Sequence, residues 1–356
     1  MLPRRPAPIR RGSGGRLALG LAALPAAAAL GWLACSTFLI PNRMRLPPAL
    51  PGDQRDMDSV AGRLSYYTAG PAVTTAPVAE ASLPPLLLIH SVNAAASAYE
   101  VRPLYEAARA KRTVYALDLP GFGFSERSRR EYTPRLMTDA IHAMVEEIRR
   151  VHGEGPIDAI ALSLGAEFLA RAAVEAPDTF RSIALVSPTG LDSRGPYDGP
   201  PGSTRGKSAL YGAFSFPVWG RAVFDLLNTR PSARYFLEKA WGSKNIDEGL
   251  RDYDYVTAHQ PGAEHAPFYF VSGFLFSRDI TRVYRQLRLP VLVIRGIRGD
   301  FTDYGQLDMM AARPNWTVRV FPTGAFPHFE VPDEVDRAYD SFVAGSMPVR
   351  FADPVD

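Results

Sequence analysis

Residues 157–166 read Ile157-Asp158-Ala159-Ile160-Ala161-Leu162-Ser163-Leu164-Gly165-Ala166, an apolar run broken by one serine and continued by a helix-forming stretch to Ala176. That order predicts a strand, a sharp turn with Ser163 at its apex, and a helix. A turn so tight brings helix and strand together, so positions 161 and 165 must be small, and they are Ala and Gly. It also points the N–H of Leu164 and the start of the helix at whatever approaches the serine. Outward from this segment, short apolar runs at 86–90, 113–117, 182–187, 291–295 and 317–321 alternate with amphipathic stretches. The alternation predicts an α/β fold, a mostly parallel doubly wound sheet with helices on both faces. Between two of these runs, Thr133 and Pro134 predict a helix start, and Met137, Ile141, Met144, Val145, Ile148 and Val151 recur on its packed side.

The rhythm stops between 189 and 287, where no comparable strand occurs and aromatic residues crowd in, predicting an inserted helical cap. Before the core, residues 17–40 carry no charge over 24 positions, enough to cross a hydrocarbon layer roughly 30 Å thick as a helix. Five Arg precede that segment and Arg43 and Arg45 follow it, which predicts a single-pass anchor with a cytoplasmic N-terminus and the remainder extracytoplasmic. A cleaved signal peptide followed by secretion is the alternative, and a lipoprotein site at Cys35 is disfavoured by Trp32. The predicted organisation is a basic N-terminus 1–16, anchor 17–40, Pro-rich linker 41–54, core 55–188, cap 189–287, core 288–346 and tail 347–356.

The net charge of +3 is set by the leader, since residues 1–52 hold seven Arg and no acid and the other residues sum to −4. A nucleic-acid partner is excluded on that balance. The lone Cys35 rules out an internal disulfide and a thiolate metal cluster, so no metal site is expected.

Three further stretches stand in order around Ser163. Leu86-Leu-Leu-Ile-His-Ser ends a strand, Asp118-Leu-Pro-Gly-Phe-Gly-Phe-Ser forms a glycine-rich turn, and Gly324-Ala-Phe-Pro-His-Phe-Glu-Val-Pro lies near the C-terminus. With the serine turn they resemble the α/β-hydrolase fold family, in which the turn is the nucleophile elbow. The resemblance covers about residues 60–345. It implies Ser163 as nucleophile and His328 as its base, with a carboxylate orienting the imidazole. Asp300 is the expected acid, one residue beyond the family's common Gly-x-x-Asp spacing, with Asp303 or Asp192 as alternatives. The N–H groups of Leu164 and Val92 are the expected oxyanion donors, with the amide of Asn93 as a substitute. Ser91 stands where the family usually has Gly, which restricts the loop backbone. His90 is expected to be structural.

The resemblance implies attack on a carbonyl, an acyl-enzyme and release by water, with no metal or organic cofactor. Carboxylic-ester hydrolysis is the leading expectation, on a small-molecule or lipid-like ester. The cap aromatics Phe214, Phe216, Trp219, Phe270 and Phe274 would receive a hydrophobic acyl group. Acyl transfer, C–C cleavage and peptide hydrolysis use the same residues, and a non-catalytic binding protein of this fold stays open because of the altered oxyanion loop.

Overall fold

The computed structural model describes residues 27–71 and 83–345. It divides into two units, Met1–Pro41 and Asn42–Asp356. In the first, residues 27–38 are helical, and Leu30, Phe38 and Leu39 are exposed. Among the described residues no helix is long and apolar enough to cross a membrane. The first ten positions of the expected anchor, like the tail 347–356, lie outside the described residues.

The second unit is built on an eight-stranded sheet with strands β1 (Asp53–Ser59), β2 (Gly62–Ala69), β3 (Leu86–Ile89), β4 (Val114–Asp118), β5 (Ile157–Leu162), β6 (Phe180–Val186), β7 (Val291–Gly296) and β8 (Trp316–Phe321). Their spatial order is β1-β2-β4-β3-β5-β6-β7-β8. From β4 onward the pairings are parallel, while β1 and β2 form an antiparallel hairpin at one edge. All six predicted strands are present. The hairpin was not expected, because Asp53-Gln-Arg-Asp-Met-Asp-Ser has Met57 as its one apolar residue and carries no apolar alternation.

Strands β3, β4 and β5 are buried at every position, as a sheet covered on both faces requires. Thr133 caps the helix Pro134–His152, its hydroxyl accepting from the N–H of Leu136 at 3.2 Å. Met137, Ile141, Met144 and Ile148 of that helix are fully buried, but Val151, expected on the same side, is exposed in the last turn.

The stretch 41–54 is docked rather than a free spacer. The N–H of Met44 donates to the carbonyl of His259, Gln260 to the carbonyl of Met44, Tyr253 to that of Pro47 and Tyr105 to that of Pro51. A proline-rich chain leaves its carbonyls unpaired, so distant donors can claim them. Between β6 and β7 lie six helices, α-helical over Ser208–Phe214, Gly220–Leu227, Arg230–Trp241, Glu248–Ala258, His265–Val271 and Ile280–Gln286. The last is joined to the helix Gly165–Glu175 by the ion pair of Asp279 with Arg171 at 2.6 Å, so it covers the core rather than the cap.

At the far end of the sheet from the site, Asp158 is fully buried and accepts from Arg112 at 2.6 Å, from Ser182 at 2.7 Å and from Arg181. Arg112 also donates to Tyr339 at 2.8 Å. Removing the carboxylate strands a buried guanidinium, so Asp158→Ala should lower unfolding free energy by about 3–5 kcal/mol in urea titrations. A loss below about 1 kcal/mol would mean that water replaces the carboxylate.

Candidate active site

The site forms where β3 and β5 end side by side, with Ile89 opposite Ala161. Ser163 follows β5 with φ 48, a left-handed conformation that a serine adopts at a cost of roughly 1–3 kcal/mol. Its N–H is tied to the carbonyl of Val186 at 2.8 Å, and the helix Gly165–Glu175 starts at once. A Cβ at Gly165 would stand 2.5 Å from the carbonyl oxygen of His90, so only glycine lets the helix cross the end of β3 this closely. Leu164 is fully buried and Val92 nearly so. Neither backbone N–H donates to any group among the described residues. Two desolvated, unused amide donors therefore follow the ends of two neighbouring strands, as an oxyanion hole requires.

The loop after β3 is held from within. His90 is fully buried; its Nε2 accepts from the N–H of Leu119 at 2.9 Å and its Nδ1 lies 2.5 Å from the carbonyl of Ser91. Burial lowers its pKa to about 4, so it is a neutral structural group. Glu100, in a single 3-10 turn over Ala98–Val101, is buried beneath the loop. Its carboxylate accepts from the N–H of Ser91 at 2.8 Å, from the hydroxyl of Ser91 at 3.0 Å and from the amide of Asn93 at 2.6 Å. Asn93 is thus turned inward, its Oδ1 accepting from the N–H of Ala95 at 2.7 Å, and it does not serve as an oxyanion donor.

His328 sits on a short helix, Pro327–Glu330, and is fully buried. Its Nε2 lies 2.8 Å from the carbonyl oxygen of Glu100. A carbonyl can only accept, so Nε2 carries the proton and Nδ1 bears the lone pair. Nδ1 is buried and has no hydrogen-bond partner. The rings of Phe326 and Phe329 flank the imidazole at 5.8 and 5.1 Å, and Trp241 stacks on Phe326 at 4.4 Å. This casing lowers the pKa of His328 to about 4, desolvation being the dominant cause.

No expected acid reaches that imidazole. Asp300 has a side chain 58% exposed and stands 3.8 Å from Lys239. The cause is local packing: Gly299, at φ 82, presses on the end of the helix Arg230–Trp241, where a Cβ would lie 2.5 Å from the carbonyl of Lys239. The N–H of Asp300 then donates to that same carbonyl, and its carboxylate points to solvent. Asp303 accepts from the N–H and hydroxyl of Ser193, and Asp192 from Arg194 and Tyr197. No hydrogen bond joins Ser163 to His328 among the described residues.

Solved structures similar to this chain have the same architecture. A probable hydrolytic enzyme from Pseudomonas aeruginosa PAO1 superposes with TM-score 0.63 at 19% identity, over 84% of this chain and 96% of that one. A carboxylesterase from Bacillus subtilis gives 0.59 at 16%, over 90% and 99%. A meta-cleavage product hydrolase from Pseudomonas fluorescens gives 0.60 at 16%, over 82% and 98%. The description "Alpha/beta hydrolase family" matches residues 86–338. The chain belongs to the alpha/beta hydrolase family. No curated protein matches it.

In this family member the expected aromatic lining divides. Phe214 packs on a cluster of Ala95, Phe224, Ala258, Ala263 and Phe268, so the cap's apolar core rests on the oxyanion loop. Phe216 and Trp219 pack on each other with tilted rings 4.2 Å apart and are 42% and 43% exposed. Phe270 packs on Phe276, and Phe274 on Tyr211 and Tyr269. Phe224 and Phe268, not Phe216 and Trp219, therefore flank the loop. A cavity of about 270 Å³ lined by Leu46, Arg63, Phe124 and Gln260 among others includes neither Ser163 nor His328.

His328 also marks the acid stability of the fold. Its folded pKa lies below the ordinary 6.5, so the folded state binds fewer protons, and stability is full above 6.5 and falls as pH drops toward 4. Urea midpoints of wild type should therefore fall more steeply between pH 7 and 4 than those of His328→Gln. Parallel curves would show that the imidazole is not held neutral.

Proposed function

We propose that the protein is a serine hydrolase that cleaves a carboxylic ester with a hydrophobic acyl group, with Ser163 as nucleophile. The observation that carries this reading is the left-handed Ser163 preceding the buried, unused N–H of Leu164, with that of Val92 on the neighbouring strand end. A strained apex beside free donors fits a tetrahedral oxyanion better than it fits packing alone. His328 is the base of this scheme. Its proton sits on the nitrogen facing Glu100, so the unpartnered lone pair of Nδ1 is the one available to accept the serine proton. Attack then forms the Ser163 ester and releases the alcohol, and water discharges the acyl group.

A second reading has its own support. The imidazole is encased, bonded to a backbone carbonyl and lacks a carboxylate, which favours a protein that binds a carbonyl or carboxylate ligand without turning it over. Fluorophosphonate labelling with p-nitrophenyl esters of increasing chain length separates the two. The hydrolase reading expects label on Ser163, turnover that rises with acyl length, and loss of both in Ser163→Ala. A folded wild type that neither labels nor hydrolyses would establish the binding reading.

The same proposal holds the domain at a membrane through residues 17–40. Support comes from their uncharged run and from the cap, where Leu210, Phe216, Val218, Trp219, Leu226, Tyr235 and Phe236 are all exposed. Protein lacking residues 1–42 should lose membrane association and keep its activity on short esters. Unchanged membrane recovery would assign the contact to the cap itself.

A further inference from the structure

Glu100 does two things at once. Its carboxylate binds the oxyanion loop at Ser91 and Asn93, and its backbone carbonyl binds Nε2 of His328. We propose that Glu100 is the positioning residue of this site, a clamp that sets the oxyanion donor on Val92 and the resting place of the imidazole through one rigid turn. The proposal rests on Ser163 as the nucleophile.

The turn is fixed on several sides. Ser97 caps it by accepting from the N–H of Tyr99, Asp118 accepts from the N–H of Ala98 at 2.8 Å, and Tyr99 stacks on Tyr253 at 4.9 Å. Motion of Glu100 is therefore not needed for it to act; only its protonation can change its bonding. Three donors converge on its two oxygens, an arrangement that a carboxylate satisfies in full. A carboxylic acid presents an O–H to those donors, and only the hydroxyl oxygen of Ser91 could accept it. Ser91 also acquires a reason: where a glycine would offer one N–H, serine offers the clamp a second donor.

Protonation is within reach. Burial raises the pKa of Glu100 to about 7, against the pull of Ser91 and Asn93. The other ionisable groups beside it are His328, which stays neutral, and Asp254, which is buried and held well above its usual range by burial and by Glu100. Asp247 raises Asp254 further. As pH falls through 7 the clamp is lost, the loop backbone is released at Ser91, and the donor on Val92 loses its fixed place. An activity inflection near neutral pH would then belong to Glu100 and not to the histidine.

The test is the second-order rate of fluorophosphonate labelling at Ser163 from pH 5 to 9, with amide hydrogen exchange of residues 91–96 on the same full-length samples. Wild type should label with an inflection near pH 7. Glu100→Gln should label on the order of 10²-fold more slowly at pH 8, the loss typical of one oxyanion donor, with a flat pH profile and faster exchange. Asn93→Ala keeps the carboxylate but removes one bond to its charged form, so its inflection should move to higher pH. It serves if Glu100→Gln fails to fold. Equal rates, profiles and exchange in wild type and Glu100→Gln, or an unmoved inflection in Asn93→Ala, would overturn the clamp. If wild type does not label at all, the nucleophile fails while exchange alone judges the clamp: faster exchange in the variant supports it and unchanged exchange rejects it.

Discussion

The 2.5 Å that a Cβ at Gly165 would leave to the carbonyl of His90 is the constraint on which the site depends. Because the helix must start there, against the end of β3, the chain leaving β5 has one residue in which to reverse, and Ser163 takes the left-handed conformation. The same crossing leaves the N–H of Leu164 without a helical or strand partner. Nothing in this geometry depends on the histidine or the acid. The strained serine and the free amide beside it can therefore form whether or not a histidine and a carboxylate stand in line with them.

The cap decides the fate of that remainder. The end of the helix Arg230–Trp241 lies over both C-terminal loops: Gly299 packs on the carbonyls of Lys239 and Ala240, the N–H of Ala325 donates to the carbonyl of Ala240, and Trp241 stacks on Phe326. The result seals His328 in an aromatic casing and turns Asp300 outward. Desolvation that keeps the imidazole neutral also makes its charged form expensive, and no carboxylate offsets that cost.

What the sequence made legible follows the range of the forces involved. The elbow could be read because its requirement is steric and local, one small residue on each side of Ser163. Five of the six strands could be read because burial on both faces leaves apolar runs, while β8 at the sheet edge is half exposed and was read from its β-branched residues. The edge hairpin could not, since Asp53–Ser59 is held by a ladder of backbone bonds and exposes its side chains. Docking of residues 44–51 rests on tyrosine hydroxyls and a glutamine 18 or more positions away, for which no local pattern exists. The placing of Asp300 depends on a cap helix about 60 residues upstream, so spacing from Gly296 could not fix it. Glu100 left a faint signal: two polar residues, Ser91 and Asn93, in an otherwise apolar loop imply a buried acceptor, but not which one.

If Ser163 is the nucleophile, the amides of Leu164 and Val92 must hold the oxyanion that develops on its attack. A crystal structure of the phosphonate adduct tests this most directly. The phosphoryl oxygen should lie 2.7–3.1 Å from both nitrogens, with phosphorus bonded to Ser163 Oγ. An adduct whose oxygen points to solvent, or is held by one amide alone, would contradict it.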